Sequence, residues 1–405
     1  MINTGIDWSD TSHSFCILDE AGEELDSFEI SHGQDGFEAA HTRIARHAGP
    51  DDVRVAIETK DSLLVDFLSE LGYTLYFLNP RQTDRFRDRH RMSHSRSDSF
   101  DAYVLADAVR TDAHLFNALS PLDERSLHLR VLTRTREGVV NRKVAVQNEI
   151  TAYLKRYFPV ALKLFGGIDN LEAISFLLQY PTYEQARSVS QTRIASILGK
   201  GAGVSKAIAI RHAKQAHSKL RQPQMRPSAG VACAYPLAVK SLLRQLQSIL
   251  EEMGALEQDI AKSYQEHPNK DLIDSLPGVA ETLGPVIAAE LGTQIARFSE
   301  IKTLKAFGGS SPVTEQSGKF RVVHFRRACN NHLRRALHLA SLGAIRKAGW
   351  ARELYDRLRA NGKSFGRALR AVADQLLEML YMILTRRKPY DEAYHLRMKA
   401  LHGTA

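Results

Sequence analysis

Apolar positions in the first third of the chain alternate, then repeat at helical spacing, and the switches between the two rhythms mark its elements. The stretch Ile2 to Ile6 reads as a first strand, and Phe15-Cys16-Ile17-Leu18 as a second. The turn formers Asp19-Glu20-Ala21-Gly22 lead into a third strand from Leu25 to Ile30, followed by a helix from Gly36 to His47. Val53, Val55 and Ile57 alternate as strand residues do. A helix from Ser62 to Leu71 and a fifth strand from Thr74 to Leu78 come next, the strand stopped by Asn79-Pro80. A further helix begins near Asp98 and carries Ala102, Leu105 and Val109 as an apolar stripe.

The rhythm then becomes helical from Leu115 to Pro268. Leu129, Leu132, Val139, Val146, Ile150 and Tyr153 have coiled-coil-like spacing. Val239, Leu242, Leu246, Ile249, Met253, Leu256 and Ile260 step by three and four without a miss. That heptad seam is long enough to pair with another helix, with self-association the favoured arrangement. Arg221 to Pro236, which holds Pro223, Pro227 and Pro236, reads as an irregular link. Leu198-Gly199-Lys200-Gly201-Ala202-Gly203-Val204-Ser205-Lys206 lacks phosphate-loop spacing and reads as a flexible loop opening a helix at Ser205. Further on, Leu272 to Gly284 runs helix, Pro277-Gly278 turn, helix. This is a helix-hairpin-helix signature whose free backbone N–H groups can hold a phosphate. The last section also places Ser317-Gly318-Lys319 ahead of a strand from Phe320 to Phe325, then Arg326-Arg327 and a helix with Arg334 and Arg335.

Charge sharpens this picture. Lys plus Arg outnumber Asp plus Glu by 55 to 46, giving a net +9, which favours polyanionic partners. Eight of those cations fall between Arg125 and Arg156 against only Glu137 and Glu149, so that helix can track phosphates or simply present a solvated face. Cys16, Cys233 and Cys329 are far apart, which argues against a disulfide framework or a zinc site and fits a reducing cytoplasm. The first residues lack a basic and apolar leader pattern. The longest apolar stretch, Leu376 to Leu384, holds Glu378 and is too short to span a bilayer. A soluble cytoplasmic protein with no membrane partner is expected.

Four acids carry the chemistry. Asp7 ends the first strand, Glu58 ends the fourth, and Asp98 and Asp101 share one face at the head of a helix. Converging carboxylates repel one another unless a cation, usually a hard divalent one, lies among them, which points to metal-dependent phosphoryl chemistry. Singly, each acid reads as a turn former, and Asp98 as an N-cap. Together they occupy matched places in the element order of the α/β ribonuclease H-like fold, where such acids hold one or two magnesium ions. Sugar kinases and actin-like ATPases also open on Gly-Ile-Asp, but here Trp8-Ser9-Asp10 replaces their phosphate-gripping turn. Ser317 lies in a Gly-flanked turn with Lys319, Arg321, Arg326 and Arg327 close in sequence, cations able to stabilise a serine alkoxide attacking a phosphodiester. A serine before glycine is also a common turn residue.

The chain resembles the DEDD-type insertion-sequence transposases, a bacterial family of bridge-RNA-guided recombinases. The resemblance rests on Gly5-Ile6-Asp7-Trp8, Ala56-Ile57-Glu58-Thr59, Leu78-Asn79-Pro80, Arg96-Ser97-Asp98, Asp101-Ala102 and Leu105-Ala106-Asp107. It continues in Leu276-Pro277-Gly278-Val279, the run from Ala306-Phe307-Gly308-Gly309 to Pro312, Ser317-Gly318-Lys319 and Asn331-His332-Leu333-Arg334-Arg335-Ala336-Leu337. It implies a RuvC-like domain over 1–115, a helical coiled-coil linker over 116–268, and a mostly α transposase domain with helix-hairpin-helix and serine loop over 269–405. It implies that Asp7, Glu58, Asp98 and Asp101 are the catalytic tetrad that binds magnesium and that Ser317 is the nucleophile joined to DNA. It also implies a homo-oligomer, dimer or tetramer, that pairs donor and target DNA through a noncoding guide RNA. Lys60 departs from the glycine common after Glu-Thr, and Cys329-Asn330 from the basic-glycine pair usual before the Asn. A RuvC-like nuclease or junction resolvase, and a non-enzymatic nucleic-acid-binding accessory protein, are the alternatives.

Overall fold

Strand-forming residues in the first eighty positions assemble a five-stranded sheet. The structure, a computed structural model, describes residues 1–402 except 61, 91–96, 117, 120–121, 226, 280 and 319. Contacts divide the chain into two compact units, Met1–Pro121 and Leu122–Ala405.

The first unit runs β1 (Ile2–Trp8), β2 (Ser12–Leu18), β3 (Glu24–Ser31), α1 (Gln34–Ala45), β4 (Val53–Ile57), α2 (Leu63–Glu70), β5 (Thr74–Phe77), α3 (Pro80–His90) and α4 (Asp98–Asp112). Sheet order is β3-β2-β1-β4-β5, antiparallel from β3 to β1 and parallel from β1 to β5. Ile6, Phe15, Ile17, Val53, Val55 and Ile57 form a core with Phe37, Ile44, Leu64 and Leu68 from α1 and α2. α4 packs elsewhere on the sheet: Ala102 and Ala106 meet Cys16 and Leu18, while Leu105 and Val109 meet Ala56 and Leu78. The apolar stripe read from the sequence is therefore the buried one.

Two details of this unit differ from expectation. β1 extends through Asp7 to Trp8 rather than stopping at Ile6. Asn79-Pro80 does more than stop β5, because Pro80 opens a helix whose first turn has no need of its missing N–H. The Asn79 Oδ1 accepts from the backbone N–H groups of Arg81 and Gln82, each at 3.1 Å. α3 buries only Thr83, so it has no apolar stripe to betray it.

The second unit continues with α5 (Glu124–Tyr157), α6 (Leu171–Gln179), α7 (Tyr183–Ser188), α8 (Gln191–Gly201), α9 (Lys206–Leu220) and α10 (Ala229–Gln265). After these come α11 (Lys270–Asp274), α12 (Leu283–Leu291), α13 (Ile301–Phe307), β6 (Val313–Ser317), β7 (Phe320–His324), α14 (Asn331–Lys347), α15 (Gly349–Ala360), α16 (Phe365–Arg386) and α17 (Glu392–His402). α5 and α10 lie antiparallel, with Arg136 paired to Glu257, Arg142 to Glu252 and Arg156 to Tyr235. One core joins Ile150 and Leu154 of α5 to Leu243 and Leu246 of α10 and to Phe176 and Ile194. A second joins Leu129 and Ile260 to Ile287, Leu337, Leu377 and Leu380. Both long helices serve both cores, so the helical middle and the C-terminal section share one unit.

Here too the structure corrects the sequence reading. The heptad seam finds a partner in α5 of the same chain. Val239, Leu242, Leu246 and Ile260 are buried, and Ile249, Met253 and Leu256 are half-buried. The expected irregular link ends at Ser228, because α10 begins at Ala229 and accommodates Pro236 near its start. Gly199-Lys200-Gly201 belongs to the end of α8, which shortens the expected loop. The Pro277-Gly278 turn also has another use. Gly278, at φ 84°, lies directly on α14, where a Cβ would strike the Ala340 carbonyl and the Ala344 nitrogen. Among the described residues, no helix is long and apolar enough to cross a membrane.

Candidate active site

Gly5 fixes the geometry of the carboxylates. A side chain there would collide with the Ala102 carbonyl oxygen and the Ala106 nitrogen, so glycine lets α4 lie directly on β1. Asp7, two residues along the strand, points to the same face as Gly5 and so towards α4. Ser97 caps α4, its hydroxyl accepting from the Phe100 N–H at 3.3 Å. Asp98 is therefore not the cap; it is exposed in the first turn, which it shares with the half-buried Asp101. Glu58 follows β4 directly, half-buried, on the strand parallel to β1.

The electrostatics report this convergence. Burial, then the negative charges of Asp101, Asp98 and Glu58, push the Asp7 carboxyl up to about 6, while Arg87 acts in the opposite sense. Arg87 comes from α3, donates from Nε to Asp101 Oδ1 at 2.8 Å, and also pairs with Asp84. Sequence reasoning missed this arginine, and its one signal was the Asp84/Arg87 spacing of three on a helix. Lys60, the departure beside Glu58, lies over the Phe77 ring at 4.1 Å. The acids offer only oxygen donors and repel one another, which fits a hard divalent cation. Among the described residues, however, no group of three acid, histidine or cysteine side chains stands close enough to hold a metal ion as it is. The structure gathers the tetrad without closing it into a cage.

Ser317 belongs to the second unit. It ends β6 and pairs with Phe320 of β7 across a two-residue turn, in which Gly318 takes the left-handed φ of 56°. Thr314 to Ser317 are all exposed, so the serine stands at the open tip of a hairpin. Arg321 lies across from Gln316, whereas Arg326 is engaged at the root by the Ser311 carbonyl at 3.0 Å. Lys319 and Arg96 lie outside the described residues.

Behind the hairpin, Asn330 starts α14. Its Oδ1 accepts from Leu333 N–H at 3.0 Å, and its Nδ2 donates to Glu290 Oε2 at 2.6 Å. Glu290 is fully buried on α12 and receives two Arg134 donors at 3.0 and 3.1 Å. Burial pushes its carboxyl up, but Arg134, Asn330 and Arg130 outweigh that and hold it below the usual range. The unexpected Asn330 thus anchors the hairpin to a buried ion-pair network.

Comparison with known proteins follows the same two regions. A family model for DEDD transposases of the IS110 type, described as a transposase, matches residues 4–159. A second, described as the transposase IS116/IS110/IS902 family, matches residues 270–356. The chain is 30% identical over 394 residues to the mini-circle putative transposase for IS117 of Streptomyces coelicolor, covering 96% of this chain and 95% of that protein. The chain belongs to the IS116/IS110/IS902 family of transposases. The transposase is also 25% identical to the insertion element IS110 uncharacterized 43.6 kDa protein of Streptomyces coelicolor, covering 94% of this chain and 93% of that one. It is 24% identical to the insertion element IS900 uncharacterized 42 kDa protein of Mycobacterium paratuberculosis, covering 96% and 97%. The transposase carries all four acids inside the first matched segment and Ser317 inside the second. Membership of a DEDD transposase family points to dependence on a divalent metal.

Proposed function

We propose that the transposase cuts and rejoins DNA strands through two groups, the Asp7, Glu58, Asp98 and Asp101 tetrad and the Ser317 hydroxyl. The observation that carries the first half is the raised pKa of Asp7, caused after burial by the other three acids. Such mutual repulsion suits a site that takes up cationic charge. Magnesium held there supplies charge neutralisation at the scissile phosphate. Arg87, already paired with Asp101, holds that aspartate in place.

Ser317 supports the second half by its exposure at the tip of a hairpin, where a phosphodiester can reach it. Its Oγ would attack phosphorus and form a serine–phosphate ester as the bond to the leaving DNA oxygen breaks, that oxygen taking a proton. The reverse attack by a DNA hydroxyl releases the serine and rejoins the strand. The ester conserves the bond energy, so rejoining needs no external energy source. The family resemblance extends the proposal to a noncoding guide RNA that pairs donor and target DNA, and to action as a homo-oligomer.

Incubating the chain with donor DNA and magnesium and running a denaturing gel tests this reading. Protein-linked DNA should appear with the unaltered chain and vanish with Ser317→Ala. Nicked DNA without any adduct would support hydrolysis by a RuvC-like nuclease instead.

A further inference from the structure

The root of the serine hairpin gathers positive charge around an aromatic ring. Phe325, just past β7, is partly exposed, at 43% of its surface. The guanidinium carbons of Arg334 on α14 and Arg370 on α16 each lie 4.9 Å from its ring centroid. The two cations are therefore no further apart than the sum of those distances. Arg367 adds a third charge one turn earlier on α16, and His338 sits one turn beyond Arg334 on α14.

The local acid is already spent elsewhere. Asp374, one turn beyond Arg370, accepts from Lys305 at 2.8 Å and from the Ser310 hydroxyl at 2.7 Å. Among the described residues, Arg334, Arg367 and Arg370 have no carboxylate within ion-pair distance. Among the described residues, Arg334 donates hydrogen bonds to the Arg326 carbonyl at 3.4 Å and the Cys329 sulfur at 3.3 Å. Burial, with the charges of Arg367 and Arg334, lowers the Arg370 pKa; burial, with Arg370 and Arg334, lowers that of His338. Unneutralised like charges held together in this way cost stability, a cost that an anion removes. Cation–π contact with Phe325 holds two of the guanidinium groups without using up their donor edges.

We propose that Arg334 and Arg370, which flank Phe325 at the root of the Ser317 hairpin, and Arg367, one turn from Arg370 on α16, bind a backbone phosphate of a nucleic-acid strand. The forked donors of arginine match phosphate oxygens, and the contact needs no base, so it positions a strand without reading sequence. The inference rests on the reading above only for the carrier of the phosphate; its geometry is independent of Ser317 chemistry.

Anisotropy titrations of the full chain with labelled random-sequence duplex DNA, and separately with an RNA hairpin, across a salt series test it. Each lost phosphate contact lowers the slope of log affinity against log salt by about 0.9 for duplex DNA and about 0.7 for single strands. Arg367→Gln with Arg370→Gln should flatten the slope by about one contact or more and weaken binding roughly tenfold at low salt. Arg370→Lys should keep most of the slope. Should the double variant unfold, the exposed Arg367→Gln alone carries the test. A loss with both nucleic acids, or with either alone, supports the phosphate site and identifies the strand. Unchanged slopes for both, in folded protein, overturn it. Ser317 adducts are scored separately: unchanged slopes with adducts intact sink the cluster alone, whereas flattened slopes without adducts support it while the serine reading fails.

Discussion

Asp7 stands on a central strand two residues from a glycine clamped beneath a helix, whereas Ser317 stands at the exposed tip of a two-stranded sheet that, among the described residues, pairs with no other strand. The carboxylates are placed by packing. Gly5, the Ala102–Leu105–Val109 face of α4 and the parallel β1–β4 pair leave Asp7 little freedom. The serine is placed by a lever, whose turn depends on Gly318 and whose root is tied through Asn330 to buried Glu290. A metal site needs acids fixed within a fraction of an ångström, while a nucleophile that must meet and leave a DNA phosphate profits from reach. The proposed roles of the two regions call for these two different modes of placement.

Substitutions at the two glycines should separate these regimes most sharply. Gly5→Val forces a branched side chain into backbone atoms of α4 and should cost about 4 kcal/mol or more in urea unfolding. A loss below about 1 kcal/mol would show that α4 can slide away and that packing does not fix the acids. Breaking the hairpin anchor comes next. Glu290→Ala strands Arg134 and the Asn330 amide and should cost about 3 kcal/mol. At the tip, Gly318→Ala at a φ of 56° should cost only about 1 kcal/mol, with the fold otherwise intact.

The acid corner also predicts a dependence on pH. The Asp7 pKa is raised to about 6 from 3.8, so between those values the folded state holds a proton that the unfolded state releases. Its stabilising contribution is therefore present below the lower value and is lost as pH rises through about 6. Asp7→Asn should flatten the fall of Tm over that window and raise Tm at neutral pH. Magnesium should raise the Tm of the unaltered chain more than that of the variant. An equal response in both would show that Asp7 does not take part in cation uptake.

What the sequence revealed and concealed follows the same division. The order of elements, the α4 stripe and the strand ends that carry Asp7 and Glu58 were legible because packing on a sheet imposes periods of two and 3.6 on apolar residues. α3 was not, because it buries only Thr83 and its four arginines carry no stripe, so Arg87 went unnoticed beside Asp101. The seam from Val239 to Ile260 was visible, but its partner was not, since heptads specify a mate without saying which chain supplies it. Ser317 was legible as lying beside a turn, but not as the end of a strand, because Thr314 to Ser317 are all exposed and carry no apolar alternation. The arginines around Phe325 were not legible as a group, because α14 and α16 bring them together across more than thirty positions of sequence.

Mapping the covalent link tests the central claim most directly. Adducts formed with donor DNA are digested with trypsin and nuclease, and the peptide bearing the residual nucleotide is sequenced by mass spectrometry. The account predicts a phosphodiester on Ser317, formed by the unaltered chain and absent from Asp7→Asn. Attachment at any other residue, or strand joining with no protein-linked DNA at any stage, would contradict it.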